Sequence, residues 1–516
     1  MEKKKSSLNK KLNLIMGTRR GAATYLLFVA VAAGMICSIM GGGVDQSSSP
    51  MRGRIHSFRS HLRRMQASAP SGGGGGGASP VVYHVTSYGA DPTGESDSTD
   101  AILGAISDAA AAAAAAKAKG PGKEGSLMDG IVNLGGARID LDGGNYLISR
   151  PIQLPVPGRG NFVIHGGSLT ASSDFPNDGY LIDLSPSGSN GNGTGTGSSS
   201  PPEYNYEFVT LRDLFLDSNL RGGGIQVVNS LRTSIDNCYI TRFNTTGIAV
   251  KGGHETYIRH SYVGQHATAG GDPHERDFSG TGIVLAGNDN AVTDVVVFSA
   301  AVGIMVLGQA NTLSGVHCYN KATGFGGTGI YLKTPGLTQT RILNSYMDFA
   351  GIVAEDPVQL AISGTFFLGD AYVLLRSVRG VADGVSVVDN MFSGSGRGVE
   401  IVQLEGAFTQ VDQVVIDRNS VRGMRARATV ARGSVEGDNG NGTTWTADFN
   451  SVLLFPDLIR RVHYTFVTNG TSFPVHAVRS TSNNRVVIQS SAAAPAASVL
   501  LHITADQGEP VAWLPS

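Results

Sequence analysis

The chain has 516 residues, 70 of them glycine, with only 7% aromatic side chains and a formal net charge of −1. That composition suits a turn-rich all-β protein better than a helical enzyme. The charge is uneven: residues 1–80 hold 12 Lys/Arg against two acidic residues, which leaves 28 positive and 39 negative side chains in the body. An acidic body argues against nucleic acid as a partner, because phosphate contacts need an excess of Lys/Arg.

The chain opens with a Lys/Arg-rich stretch to Arg20, followed by the uncharged run Gly21–Met40. Such a run is long for a signal-peptide core and just long enough to span a bilayer. A cleaved signal and an uncleaved type II anchor both remain open, and either sends the body across the membrane. The expectation is a lumenal or extracellular body, either secreted or tethered. Four acceptor sequons, at Asn192, Asn244, Asn441 and Asn469, agree with that side of the membrane. Residues 41–80 read as a flexible linker that ends in the run Gly72–Gly77.

Folded structure is expected from Val81. A strand and a Gly/Pro turn lead to an Ala-rich helix opening around Asp97–Thr99 and ending near Gly120. Its apolar positions Ala101, Ile102, Ala105 and Ile106 would cover the open end of a stack of strands. A Gly-Ile-x-Val-like tetrapeptide then recurs from Gly224, Gly247, Gly282, Gly303, Gly329, Gly351, Ala371 and Gly398. Most steps are 20–27 residues, too short for propeller blades. Three short strands per turn fit that interval, with the second and fourth residues of each tetrapeptide stacked inward. The expected fold is a right-handed parallel β-helix over residues 81–430, with an N-terminal capping helix and a small C-terminal β module over 431–516.

One 35-residue step carries the insertion His266–Phe278, and Pro186–Pro202 is a second, Gly/Ser-rich insertion. Cys238 and Cys318 lie three rungs apart, roughly 14 Å at the strand spacing, which favours two buried free thiols over a bridge. No nucleophile elbow, P-loop, dinucleotide fingerprint or zinc spacing occurs in the sequence.

Outward side chains of successive rungs line up into a groove. Asp348, Glu355, Asp356 and Asp370 would then fall within about two rungs, roughly 10 Å. Carboxyl pairs at such distances suit glycoside hydrolysis, where one protonates the leaving oxygen and the other activates water or attacks the sugar. Lys333 and Arg376 could bind a uronate carboxylate and Tyr331 could stack on a sugar face. The competing reading is a surface ion-pair ladder holding the rungs in register. A second polar constellation joins the inserted loop to the following turn: His266, Asp272, His274, Glu275, Arg276, Asp277, Asn288, Asp289 and Asp294. From it Glu275 and Asp289 are taken as further substrate contacts; no metal ligand set is assigned.

The opening Tyr88-Gly-Ala-Asp-Pro-Thr-Gly with its Ala-rich helix resembles the start of the pectin lyase-like superfamily. Within it, Gly287-Asn-Asp-Asn-Ala-Val-Thr-Asp-Val-Val, Val316-His-Cys-Tyr-Asn-Lys-Ala-Thr and Glu355-Asp-Pro look like the plant quartet-type polygalacturonases. The resemblance implies an inverting hydrolase of α-1,4-linked galacturonan in the plant cell wall, acting in pollen separation as a monomer without a cofactor. Better-known polygalacturonases carry Asn-Thr-Asp, Gly-Asp-Asp, Gly-His-Gly and Arg-Ile-Lys at the starts of successive rungs. Here the corresponding places hold Asn244-Thr245-Thr246, Ser279-Gly280-Thr281, Ala301-Val302-Gly303 and Tyr331-Leu332-Lys333. Only Lys333 carries over, so calcium-dependent β-elimination and pectin binding without catalysis remain alternatives.

Overall fold

Ten short parallel strands form one sheet along the body, running from Ile152–Gln153 to Val402–Glu405 in chain order of rungs. The Gly-Ile-x-Val tetrapeptides build this sheet. Ile225, Ile248, Ile283, Ile304, Ile330 and Ile352 pair in register and are fully buried. The residue two places on, from Val227 to Leu332, is buried beside them, while the intervening residue is more exposed on every one of these rungs except at Ala249, as β alternation favours. Glycine precedes the isoleucine because the backbones turn a tight corner there. A Cβ on Gly282 would lie 2.5 Å from Val297 Cγ1 and 2.6 Å from the Gly303 carbonyl oxygen.

The computed structural model describes residues 80–117, 127–154, 157–186, 204–266, 279–319, 327–336, 339–436, 442–468, 474–493 and 499–508. All of them fall in one unit, Ala78–Ser516. The expected targeting segment Gly21–Met40, nearly all of the linker, the insertion beyond His266, and Glu275, Asn192, Asn441 and Asn469 lie outside the described residues.

A 20-stranded sheet supplies the other two faces of the coil. Early strands such as Ser234–Thr241 run through both faces; later they split into pairs such as Tyr257–Arg259 and Tyr262–Gly264. Each rung thus passes over the Gly-Ile face, a second face and a third face before returning, by the right-handed crossover usual for parallel strands. Buried polar side chains lace two of the corners. The backbone N–H and side-chain amide of Asn290 both donate to Asn311 Oδ1 at 3.0 Å. Ser345, Thr365, Asn390 and Asn419 do the same between the second and third faces. They satisfy backbone N–H groups that the bends remove from the sheet ladder.

The helix α1 (Thr99–Lys117) buries Ile102, Ala105, Ile106 and Ala109 against the first rungs, as expected for an end cap. Beyond Arg422 the pairing turns antiparallel, in two three-stranded sheets with their own core around Trp445. Two rung marks differ from the sequence reading. The inward partners of Ile352 are Val373 and then Val402, so Ala371-Tyr-Val-Leu is one residue out of register and Gly398-Val-Glu-Ile precedes its strand. Neither has a glycine at the corner position, which removed the only landmark. Cys238 and Cys318 are free and buried, and burial pushes both thiols up to about 12.

Candidate active site

At the C-terminal end of the Gly-Ile strands, one outward column reads Lys333, Glu355, Arg376 and Glu405 on consecutive rungs. Tyr331 stands beside it and donates its hydroxyl to Glu355 Oε1 at 2.5 Å. Arg376 donates to the Tyr331 oxygen at 2.8 Å and grips Glu405 through two bonds of 2.8 and 3.2 Å. Burial, and then the Glu355 carboxylate, raises the Tyr331 phenol; the Glu405 hydrogen bond raises the Arg376 guanidinium. Glu405 went unnoticed in the sequence because the mark of its rung was misplaced. Lys333 is exposed and has no ion-pair partner among the described residues. Glu355 and Glu405 outnumber Arg376 by one charge, which Lys333 at the head of the column balances. The cluster can position a charged ligand, and Glu355, locked between a phenol and a guanidinium, is poorly placed to transfer protons.

Asp356 follows Glu355 immediately but does not join it. The chain leaves the strand there with φ of 37°, and the carboxylate turns inward to 1% exposure. It accepts the backbone N–H groups of Val378, Arg379, Gly380 and Val381, at 2.6–3.2 Å. All its accepting capacity is spent on holding that turn, so Asp356 is an anchor of the fold.

Asp348 and Asp370 lie at the opposite end of the Gly-Ile strands, just before two consecutive ones. Asp348 ends the strand Tyr346–Asp348 on the third face and pairs in register with Tyr319 and Leu368. It is half-buried, its Oδ1 has no hydrogen-bond partner, and burial raises its carboxyl to about 6. Asp370 sits two residues past Leu368 in a turn of φ 64°, where it accepts the Ser395 N–H at 2.8 Å and the Ser395 hydroxyl at 2.6 Å. One rung plus two residues separates the two backbones, roughly 8 Å. The four carboxylates therefore do not form the single cluster expected from sequence. A strand of five residues, Gly351–Glu355, and a corner lie between Asp348 and Glu355.

Around Asp348 the third face carries an outward aromatic strip. Phe215, Tyr239 and Tyr262 stack on successive rungs at 5.4 and 5.7 Å, and Phe298 stacks on Tyr319 at 5.8 Å. His317 lies 4.4 Å from Tyr346 and 5.0 Å from Tyr319, and burial lowers it to about 4, so it is neutral above that pH. The strip was missed because its members stand a whole rung apart in sequence. Asp289 pairs with His254 at 2.9 Å and is remote in sequence register from both carboxylate groups. The neighbouring Asn290, part of the quoted family string, belongs to the buried corner ladder. Asn244 is exposed, on the turn before its Gly-Ile strand.

A family model described as rhamnogalacturonase A/epimerase, pectate lyase-like, matches residues 82–326. The chain is 56% identical over 506 residues to polygalacturonase QRT3 of Arabidopsis thaliana, covering 96% of this chain and all of the relative. The chain belongs to this polygalacturonase family. Among solved structures, ORF18 of Geobacillus virus E2 is 12% identical with a TM-score of 0.48, over 92% of this chain and 84% of its own. The endo-xylogalacturonan hydrolase of Aspergillus tubingensis is 13% identical with a TM-score of 0.43, over 66% and 93%. In the pattern set out above the first aspartate falls at Thr246, directly before Gly247; Asp348 instead ends a third-face strand three residues before Gly351, the place that Asn244 holds before Gly247.

Proposed function

We propose that the chain hydrolyses α-1,4-linked galacturonan with inversion, using Asp348 as the general acid and Asp370 as the base that activates water. The observation that carries this reading is Asp348, a half-buried carboxyl raised to about 6, one rung and two residues from a second carboxylate. A carboxyl of that kind stays protonated in mildly acid surroundings and can protonate a glycosidic oxygen. The backbones stand roughly 8 Å apart, and the reading requires the two carboxyl groups to stand about 6.5–9.5 Å apart, with room for a water between acid and base. Asp370 is oriented by Ser395 rather than by a cation, so no positive charge competes for its lone pairs. Lys333, exposed and unpaired, would meet a uronate carboxylate, with Tyr331 and Arg376 shaping that end of the groove. The proposed setting is the cell wall, reached by secretion or a type II anchor. The chain would act as a monomer glycosylated at some of Asn192, Asn244, Asn441 and Asn469.

The test is reducing-end release from polygalacturonate near pH 5, with and without chelator. Chelator-insensitive release, reduced about 10²–10⁴-fold in both Asp348→Asn and Asp370→Asn, is the expected result. An unsaturated product that depends on calcium would replace hydrolysis by β-elimination. Binding without new ends would leave a pectin-binding protein.

A further inference from the structure

At the N-terminal edge of the coil, the strand Val82–His84 pairs only with Arg138–Asp140 of the next rung. His84 lies opposite Asp140 in that register, and Asp142 follows in a turn of φ 53°. His84 Nδ1 is 2.5 Å from Asp142 Oδ1, and one ligand atom from each of His84, Asp140 and Asp142 lies within 4.8 Å of the others. Each carboxylate is already fixed through one oxygen. Asp142 Oδ2 accepts the Thr86 hydroxyl at 2.8 Å and the Thr86 N–H at 3.3 Å, while Asp140 Oδ1 accepts the Asp142 N–H at 2.9 Å. That leaves Asp142 Oδ1 and Asp140 Oδ2 for a ligand.

The geometry points to a binding site for one divalent transition-metal ion of the zinc type, held by His84, Asp140 and Asp142, with water in the fourth position. An imidazole beside two carboxylates suits such an ion; calcium takes oxygen ligands alone. Ligand bonds of about 2.0–2.2 Å in a tetrahedron require the donor atoms to stand about 3.4 Å apart. The His84–Asp142 contact opens and the wider separations close by about 1 Å to reach that spacing. The Thr86 and backbone bonds to the carboxylates are the outer contacts that orient metal ligands. The ion would clasp a three-residue edge strand to its neighbour, at the point where residues 1–79 join the coil. This site is separate from Asp348 and Asp370, and its test does not depend on catalysis.

The test is titration of the full chain with zinc chloride by calorimetry near neutral pH. One saturable equivalent is expected, weakened at least tenfold in His84→Ala. Thr86→Val, which keeps every ligand atom, should weaken it about tenfold through loss of the Asp142 contact. His260→Ala serves as the control, since His260 pairs with Asp236 at 2.8 Å on the same face without completing such a group; it should bind as the parent does. Far-ultraviolet circular dichroism checks folding, and cobalt absorption supplies a second readout of a tetrahedral nitrogen/oxygen site. Absence of a saturable equivalent, or equal binding in His84→Ala and the parent, overturns the assignment.

Discussion

Replacing Asp348 by Asn should make the protein more stable at neutral pH and inactive at every pH. The carboxyl is raised to about 6 by burial alone, against an ordinary value near 4. The folded state therefore holds this proton more tightly than the unfolded chain. The stabilisation from that proton is complete below about pH 4 and lost as pH rises through about 6. Ionising a fully buried group with that shift would cost about 3 kcal/mol. Partial exposure discounts the figure to roughly 1–2 kcal/mol. Asn keeps the shape and never ionises, so the variant should match the parent at pH 4 and exceed it by roughly 1–2 kcal/mol at pH 7. In a body of this size that is a rise in Tm of about 1–2 °C. In the parent, the protonated fraction falls from about 0.9 at pH 5 to about 0.1 at pH 7, so kcat/KM should drop about tenfold over that interval. Scanning calorimetry and reducing-end assays across pH 4–7 measure both effects. Equal stability of parent and variant at pH 7, or an activity profile flat between pH 5 and 7, would refute the assignment of Asp348 as a buried general acid.

Asp356→Asn should lower the unfolding midpoint by an amount worth about 1.5–3 kcal/mol, because four backbone N–H groups lose a charged acceptor, while kcat/KM stays within twofold. Loss of activity at unchanged stability would return Asp356 to the site. Asn390→Ala removes bonds to the Ile362 carbonyl, Asn419 and the Thr365 N–H and should cost about 1–3 kcal/mol in denaturant unfolding. A neutral result would mean that the corner ladder only fills space. Cys238 and Cys318, with thiols pushed up to about 12, should resist a thiol reagent at pH 8 until the chain unfolds, and labelling of either in the native state would contradict their burial.

The repeat was legible because it follows from β alternation. Glycine at the tight corner, isoleucine inward and an apolar residue two places on recur wherever the corner is the same. Where Tyr372 and Ile401 stand at the corner position instead, the landmark disappeared and the register slipped. The site was legible residue by residue but not in its grouping. Glu355 and Asp356 are neighbours in sequence, yet the strand ends between them, and one side chain faces the groove while the other closes a turn. Asp348 and Asp370 are 22 residues apart and become neighbours because one rung carries Asp348 to Leu368, two residues short of Asp370. The Asn290 and Asn311 ladder looked like a family string of unknown purpose, since buried and exposed asparagines read alike in sequence.

A parallel β-helix would also make the proposed placement of an acid/base pair on later rungs physically cheap. Every rung offers the same corner ahead of its Gly-Ile strand, spaced about 4.8 Å from the next. An acid and a base need only two adjacent corners, offset along the chain as Asp370 is from Leu368, the register partner of Asp348, to widen the rung spacing. Moving the pair along the axis keeps the separation that inversion needs and changes only which side chains flank the sugar. The strand from Thr246 carries a buried Ala249 and ends at the exposed Lys251, and the strand from Thr281 carries Val284, whereas beside Asp348 and Asp370 the strands present Val353 and Leu374, with Lys333, Glu355 and Arg376 at their far end. The later rungs thus pair a carboxyl that stays protonated near pH 5 with a cation across the width of the face, a combination that the earlier rungs at Thr246 and Thr281 do not provide. That is the physical ground for reading the pair at Asp348 and Asp370 rather than an abandoned site at Asn244.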